Sequence, residues 1–239
     1  AAVAARKRTV VLMQTPGAVL TPWREEVAGI ANLFLGGVAT GPAWANLLFG
    51  DAPPRGRLPI MFPATDSDVI PVGQELTVTY SEGLLTSYRS PHFKAAFPFG
   101  HGLTFTSFSY SDPQESLKGC AAAACVTISV INAGQFSGEE VVQAYVHFPD
   151  PRGGDQEWIR ETPRMVLKGF QRTRSLEPRD TQQMSFAFSV ADLSLYSVQQ
   201  GGWVAQSKAY IWFGASSGDI RKVIKVDLGD RVPIPEAGG

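Results

Sequence analysis

The chain has 239 residues, 44% of them hydrophobic and 18% charged, enough apolar material for a sizeable core and too much for disorder as the main state. Its 21 Lys plus Arg stand against 22 Asp plus Glu, a formal charge of −1. That balance lacks the basic excess on which phosphate-backbone binding depends, so nucleic acid is not an expected partner. The 24 glycines and 17 prolines make up about a sixth of the chain, a composition for many turns and substantial β-structure.

The first residues, AAVAARKR, lead into the short apolar run TVVLMQ, which has neither the length nor the cleavage site of a secretory signal. A buried-looking strand so close to a non-Met start is what a chain cut from something longer presents. Thr9 to Gln14 reads as that strand, Pro22 to Gly29 as a short helix with Glu25 and Glu26 in its early turns, and Ile30 to Leu35 as a second buried run. Gly36 and Gly37 break the chain before a helix over Pro42 to Phe49, closed by Gly50. The strand, helix, strand, helix order implies α/β packing. Residues 51–63, DAPPRGRLPIMFP, form a Pro-rich turn and a short extended piece, and residues 64–107 read as mostly irregular. So long a loop in a compact protein tends to be functional.

Beyond residue 107 the period changes to two. Val126, Ile128 and Val130 share one face, and Glu140 to Phe148 alternates around Val142, Ala144 and Val146, with the Gly-bearing turn NAGQFSGE between the runs. Further strands are expected at Met165 to Phe170, Met184 to Val190, Trp203 to Ala205, Ala209 to Gly214 and Ile220 to Asp227. About seven short strands in this stretch predict an antiparallel β-sandwich of immunoglobulin or fibronectin type, and the absence of a Cys-Trp-Cys pattern favours the fibronectin type.

Candidate chemistry is sparse. The GGVATG of Gly36 to Gly41 lies between a strand and a helix, but Pro42 and Ala43 stand where a phosphate-binding loop needs Lys and Ser or Thr, so a tight connection is the better reading. Glu139 and Glu140 are adjacent on a strand and point to opposite faces, a poor catalytic pair, and Asp66 with Asp68 sits in a Ser/Thr/Pro loop suited to Asx turns. His92, His101 and His147 are scattered, and no nucleophile elbow occurs. Cys120 and Cys125 have no zinc spacing, so no metal is expected. Their four intervening residues permit a disulfide that folding does not require, with a reduced pair as the alternative. Tyr80, Ser81, Glu82, Gly83, Tyr88 and Arg89 group aromatic faces, a carboxylate and a guanidinium within ten residues, either the rim of a sugar site or a solvated loop with local ion pairing.

The ordered segments LLFGDAPPRGRLP, YSEGLLTSYR, FPFGHGLTFT, SGEEVVQAYV and PRMVLKGFQRT resemble the C-terminal part of family 3 glycoside hydrolases, the β-glucosidase group, over residues 9–228. The resemblance implies residues 1–90 as the C-terminal part of an α/β sandwich domain, 91–107 as a linker and 108–239 as a fibronectin III-like domain. The fold class expected is thus α/β followed by all-β, a partial α/β sandwich plus an antiparallel β-sandwich. The barrel that precedes these parts in the family is missing, and with it the nucleophile Asp. The acid/base Glu of the family lies upstream of the strand that TVVLMQ resembles, so no catalytic residue is expected here. Asp68 lacks the following Trp and the preceding strand of the nucleophile motif. The implied function is scaffold and sugar-site rim, through Tyr80, Glu82, Tyr88 and Arg89, of a retaining hydrolase acting on O-glycosyl bonds of β-linked sugars. Its partners would be a β-linked glucoside or oligosaccharide in the full-length parent, together with the barrel and the upstream α/β segment, and neither cofactor nor membrane. Secretion or a vacuolar location follows from the resemblance alone. The rival reading is a non-catalytic fibronectin-like module binding carbohydrate or protein. Val38, Ala39 and Thr40 depart from the family's polar turn, and His101 stands where Tyr is usual.

Overall fold

The computed structural model describes residues 9–71, 76–116, 118–149, 162–197 and 200–229. Described in chain order, the first part holds β1 (Val10–Met13), β2 (Gly29–Asn32), α1 (Thr40–Phe49), β3 (Phe62–Pro63) and β4 (Ala95–Phe97). β1 and β2 are parallel, with Val10 opposite Gly29 and Met13 opposite Asn32, and β3 meets β4 antiparallel. α1 stops where expected, because Gly50 takes the left-handed conformation (φ 82°) that ends a helix without a Cβ clash.

Three expectations fail in this part. The strand within Thr9 to Gln14 is not a buried one, since Val10 is 48% and Leu12 37% exposed. Pro22 to Gly29 makes only a 3₁₀ turn over Arg24–Glu26. Val27 is already extended and the Ala28 N–H donates to Thr9 O at 2.8 Å, drawing the chain into β2 before a longer helix can form. The run Ile30 to Leu35 is not uniformly buried either: β2 ends at Asn32, and Leu35 is 82% exposed.

The second part is an antiparallel sandwich of β5 (Phe108–Tyr110), β6 (Gln114–Glu115), β7 (Ala124–Asn132), β8 (Val141–His147), β9 (Val166–Arg172), β10 (Thr181–Phe188), β11 (Ser194–Ser197), β12 (Gly202–Ala205), β13 (Lys208–Ser216) and β14 (Asp219–Asp227). One sheet has the order β14-β13-β8-β9, the other β10-β7-β5 with β6 also on β7, and β11 pairs with β12 as a hairpin. These ten strands exceed the seven expected. β5 and β6 line one edge of β7, interrupted at Pro113, and β11, with Leu195 and Tyr196 adjacent between two serines, lacks an alternating signal. Overall the described residues are mostly β with one α-helix, and both sheets are open.

The core lies between the two sheets. Ala124, Val126, Ile128 and Val130 of β7 meet Val142, Ala144 and Val146 of β8, with Ile211 and Phe213 of β13 and Phe186 and Phe188 of β10. Phe186 packs edge-on against Phe213 at 5.2 Å between centroids. β7 keeps the alternation read from the sequence, but β8 does not: Val141 to Val146 are all buried. The outer face of β8 is covered as well, by residues of the first part of the chain.

Cys120 and Cys125 are joined as a disulfide. Cys125 belongs to β7, opposite Ala187, so the bridge ties a loop to a sheet strand.

Candidate functional site

The covered face of β8 is where the two parts of the chain meet, and its chemistry is polar and charged. Gln143 of β8 donates through Nε2 to Gly100 O (3.0 Å) and Ala215 O (2.6 Å), and accepts from the Tyr145 hydroxyl at 2.6 Å. Burial pushes that hydroxyl well above the usual tyrosine range, so it stays a donor. Gly100 sits at φ 80°, and a Cβ there would run into the Gln143 side chain, so the FPFG turn needs glycine on both counts. Leu58 N–H donates to His101 O (2.8 Å) and Gly100 N–H to Leu58 O (2.7 Å), while Ser217 N–H reaches Phe99 O at 2.9 Å. The stretch 97–101, expected as part of a linker, is therefore hydrogen-bonded on both sides.

Two adjacent glutamates clasp this junction. Glu140, whose side chain is 3% exposed, takes Arg57 Nη2 on Oε1 at 2.8 Å and Arg221 Nη1 on Oε2 at 3.3 Å, and also accepts the Val141 N–H at 2.8 Å. Glu139 points the other way, to Arg55 (3.2 Å) and Arg172 (3.3 Å). A cleft of about 210 Å³ opens beside them, lined among others by Arg57, His101, Thr104, Glu140, Asp219 and Arg221. Two guanidiniums and two carboxylates balance its charge. His101 stacks on Phe97 at 5.7 Å, and burial, with Arg57 nearby, lowers its pKa below the ordinary histidine value. The sequence reading missed this clasp. Its one local signal was the coincidence of Arg-rich PPRGRLP with the Glu pair and of a lone Gln143 in an apolar strand.

The four rim candidates separate into two pairs. Tyr80 is 79% exposed and Glu82 half-buried, in a turn where Gly83 N–H donates to Tyr80 O and Leu85 N–H to Glu82 O. Tyr88 and Arg89 lie in a 3₁₀ turn over Ser87–Arg89, with the guanidinium 5.9 Å from the Tyr88 ring centre. Tyr88 faces the junction: its ring stacks on Phe99 at 4.5 Å and meets Tyr145 edge-on at 5.8 Å. Asp66 and Asp68 hold a turn, as their loop setting implies. Asp68 accepts from Thr65 Oγ1 (2.6 Å) and the Lys94 N–H (2.8 Å), and these bonds hold its carboxyl below the usual range. Among the described residues no three His, Cys, Asp or Glu side chains converge as a metal would need, and no helix is long and apolar enough to cross a membrane.

Set against known proteins, the chain matches the glycosyl hydrolase family 3 C-terminal domain over residues 1–105 and the fibronectin type III-like domain over residues 140–217. The arrangement is thus that of the C-terminal region of a glycosyl hydrolase, a sandwich clasped to a mixed α and β unit. The chain thus carries the C-terminal domain of glycosyl hydrolase family 3 followed by the fibronectin type III-like domain. It is 34% identical over 234 residues to a beta-glucosidase of Rhizobium radiobacter, covering 92% of this chain and 27% of that protein. Thermostable beta-glucosidase B of Acetivibrio thermocellus is 33% identical over 221 residues, 88% of this chain and 28% of that one. Among solved structures, beta-glucosidase 3B from Thermotoga neapolitana in complex with glucose superposes with a TM-score of 0.82 at 30% identity, over 93% of this chain and 31% of that one. The chain spans less than a third of the length of each of these relatives.

Proposed function

We propose that the chain is the C-terminal scaffold of a retaining, β-glucosidase-like hydrolase acting on O-glycosyl bonds of β-linked sugars, with both catalytic carboxylates on polypeptide beyond it. The observation that carries this reading is the likeness, along nearly the whole chain, to beta-glucosidases of which it spans less than a third. A retaining mechanism needs two carboxyl groups about 5–5.5 Å apart across the glycosidic bond. Several described acids are occupied otherwise: Glu139, Glu140, Asp112, Asp180, Asp192 and Asp219 each pair with Arg or Lys. The parallel β1–β2 pair, beside a helix that exposes Leu48 and Phe49, is read as the end of an α/β sandwich whose remaining strands cover it, since parallel sheets are stable with both faces packed. Residues 80–89 then form a rim, with Tyr80 and Glu82 toward the sugar and Tyr88 and Arg89 behind them.

An assay of the 239-residue chain with an aryl β-glucoside tests this, and no turnover above that of an inert protein is expected. Turnover that disappears in Glu82→Gln would place catalysis within the chain and overturn the scaffold reading.

A further inference from the structure

We infer that Tyr88 is a positioning residue through which the β-sandwich sets the conformation of the 80–89 rim, an inference that rests on the reading of 80–89 as sugar-facing. The Tyr88 hydroxyl accepts the Leu167 N–H at 3.0 Å, a bond between residues 79 apart in sequence. That amide lies at the register shift where β9 carries an extra residue between Gly169, opposite Ala144, and Leu167, opposite Tyr145. Such bulges re-aim backbone groups out of the ladder. The ring itself is held between Phe99 and the fully buried Tyr145, whose own hydroxyl is fixed by Gln143. The buried and hydrogen-bonded Gln143 and Tyr145 fix that wall of the seat.

The rest of the rim is by contrast held by short-range bonds. Gly83 to Tyr80, Leu85 to Glu82, Arg89 to Thr86, Ser90 to Ser87 and His92 to Ser90 are its hydrogen bonds, and among the described residues the Tyr88 hydroxyl alone carries one outside 80–92. Ser87 stands at φ 53°, a left-handed conformation that a non-glycine residue keeps only when its surroundings impose it. The seat of the next residue, Tyr88, is that imposition. The sandwich reaches a sugar at the rim through this one side chain, which touches no sugar itself.

Tyr88→Phe removes the hydroxyl and keeps the ring, and Phe99→Leu removes the stacking partner; both are made in the 239-residue chain. Hydrogen exchange of the Gly83, Leu85 and Arg89 amides should rise about tenfold in each, while the Val126 to Val130 amides and the melting midpoint of the sandwich stay as they were. D-Glucose, titrated while the Tyr80 and Glu82 amide resonances are followed, should bind the Tyr88→Phe chain about three- to tenfold more weakly than the unaltered one. Unchanged exchange at the rim in both variants overturns the inference, whatever glucose does. Raised exchange together with no glucose-induced shift in the unaltered chain leaves Tyr88 as the anchor and removes the sugar from the rim. Should Tyr88→Phe lose its sandwich resonances, Phe99→Leu decides by the same readings.

Discussion

In the sandwich, β7 and β8 bury every inward residue and the largest fully buried side chains, Tyr145, Phe188 and Phe213, are less than 2% exposed; in residues 9–50 only Met13 and Thr21 are buried. α1 has no buried residue at all. The contrast lies in packing and not in a lack of apolar residues in the first region, where VVLM and WANLLF stand. An alternating strand with two partner sheets closes its own core, whereas a parallel pair and one helix leave faces that require further cover. What differs is the number of layers each region brings with it.

Core substitutions should expose that contrast most strongly. Phe213→Ala is expected to cost about 3–5 kcal/mol in urea unfolding, against no more than about 0.5 kcal/mol for Phe49→Ala on the exposed helix. A comparable loss at both positions would show that α1 is packed in this chain. The junction comes next. Glu140→Gln leaves the Arg57 guanidinium buried without a counter-charge and should cost about 3 kcal/mol, while Glu139→Gln, facing the more exposed Arg55 and Arg172, should cost less than about 1 kcal/mol. Equal losses would mean that the two glutamates do not divide buried from open pairing. Replacing both cysteines by Ala should leave the sandwich folded, lowering stability by no more than about 2 kcal/mol, the chain-entropy value for so short a loop. Failure to fold would make the bridge structural. The smallest effect is at His101. Its folded pKa lies below the ordinary histidine value of 6.5, so the unfolded chain takes up a proton first as pH falls. The stability from this group is therefore complete above pH 6.5 and declines as pH drops toward the folded value. Melting curves of His101→Tyr between pH 7 and 5 should be flatter than those of the unaltered chain, and parallel slopes would reject the assignment.

Legibility in the sequence followed the range of the forces involved. Val126, Ile128 and Val130 were readable because strand alternation is local, and Gly50 because a helix end needs a left-handed residue. Glu139 and Glu140, expected on a strand, lie just ahead of β8, and the partners of Glu140 were not readable because Arg57 and Arg221 lie 83 and 81 residues away. β8 was read as one-sided because the pattern VVQAYV shows alternation around small apolar residues and nothing of what covers the other face. For the rim, proximity in sequence suggested one cluster. The structure splits it, because the left-handed Ser87 turns Tyr88 away from Tyr80 and Glu82 into the junction.

A strand with no solvent-facing side changes where the chain can be divided. Severing it ahead of Phe108, to graft the sandwich onto another protein, would uncover Gln143 and Tyr145 where Gly100 and Tyr88 now sit and would leave Glu140 with Arg221 but without Arg57. A transplant that keeps its own charge pairs begins before Pro53, so that Arg55 and Arg57 travel with the glutamates they hold. A graft that keeps the clasp intact thus starts some fifty residues ahead of the first sandwich strand.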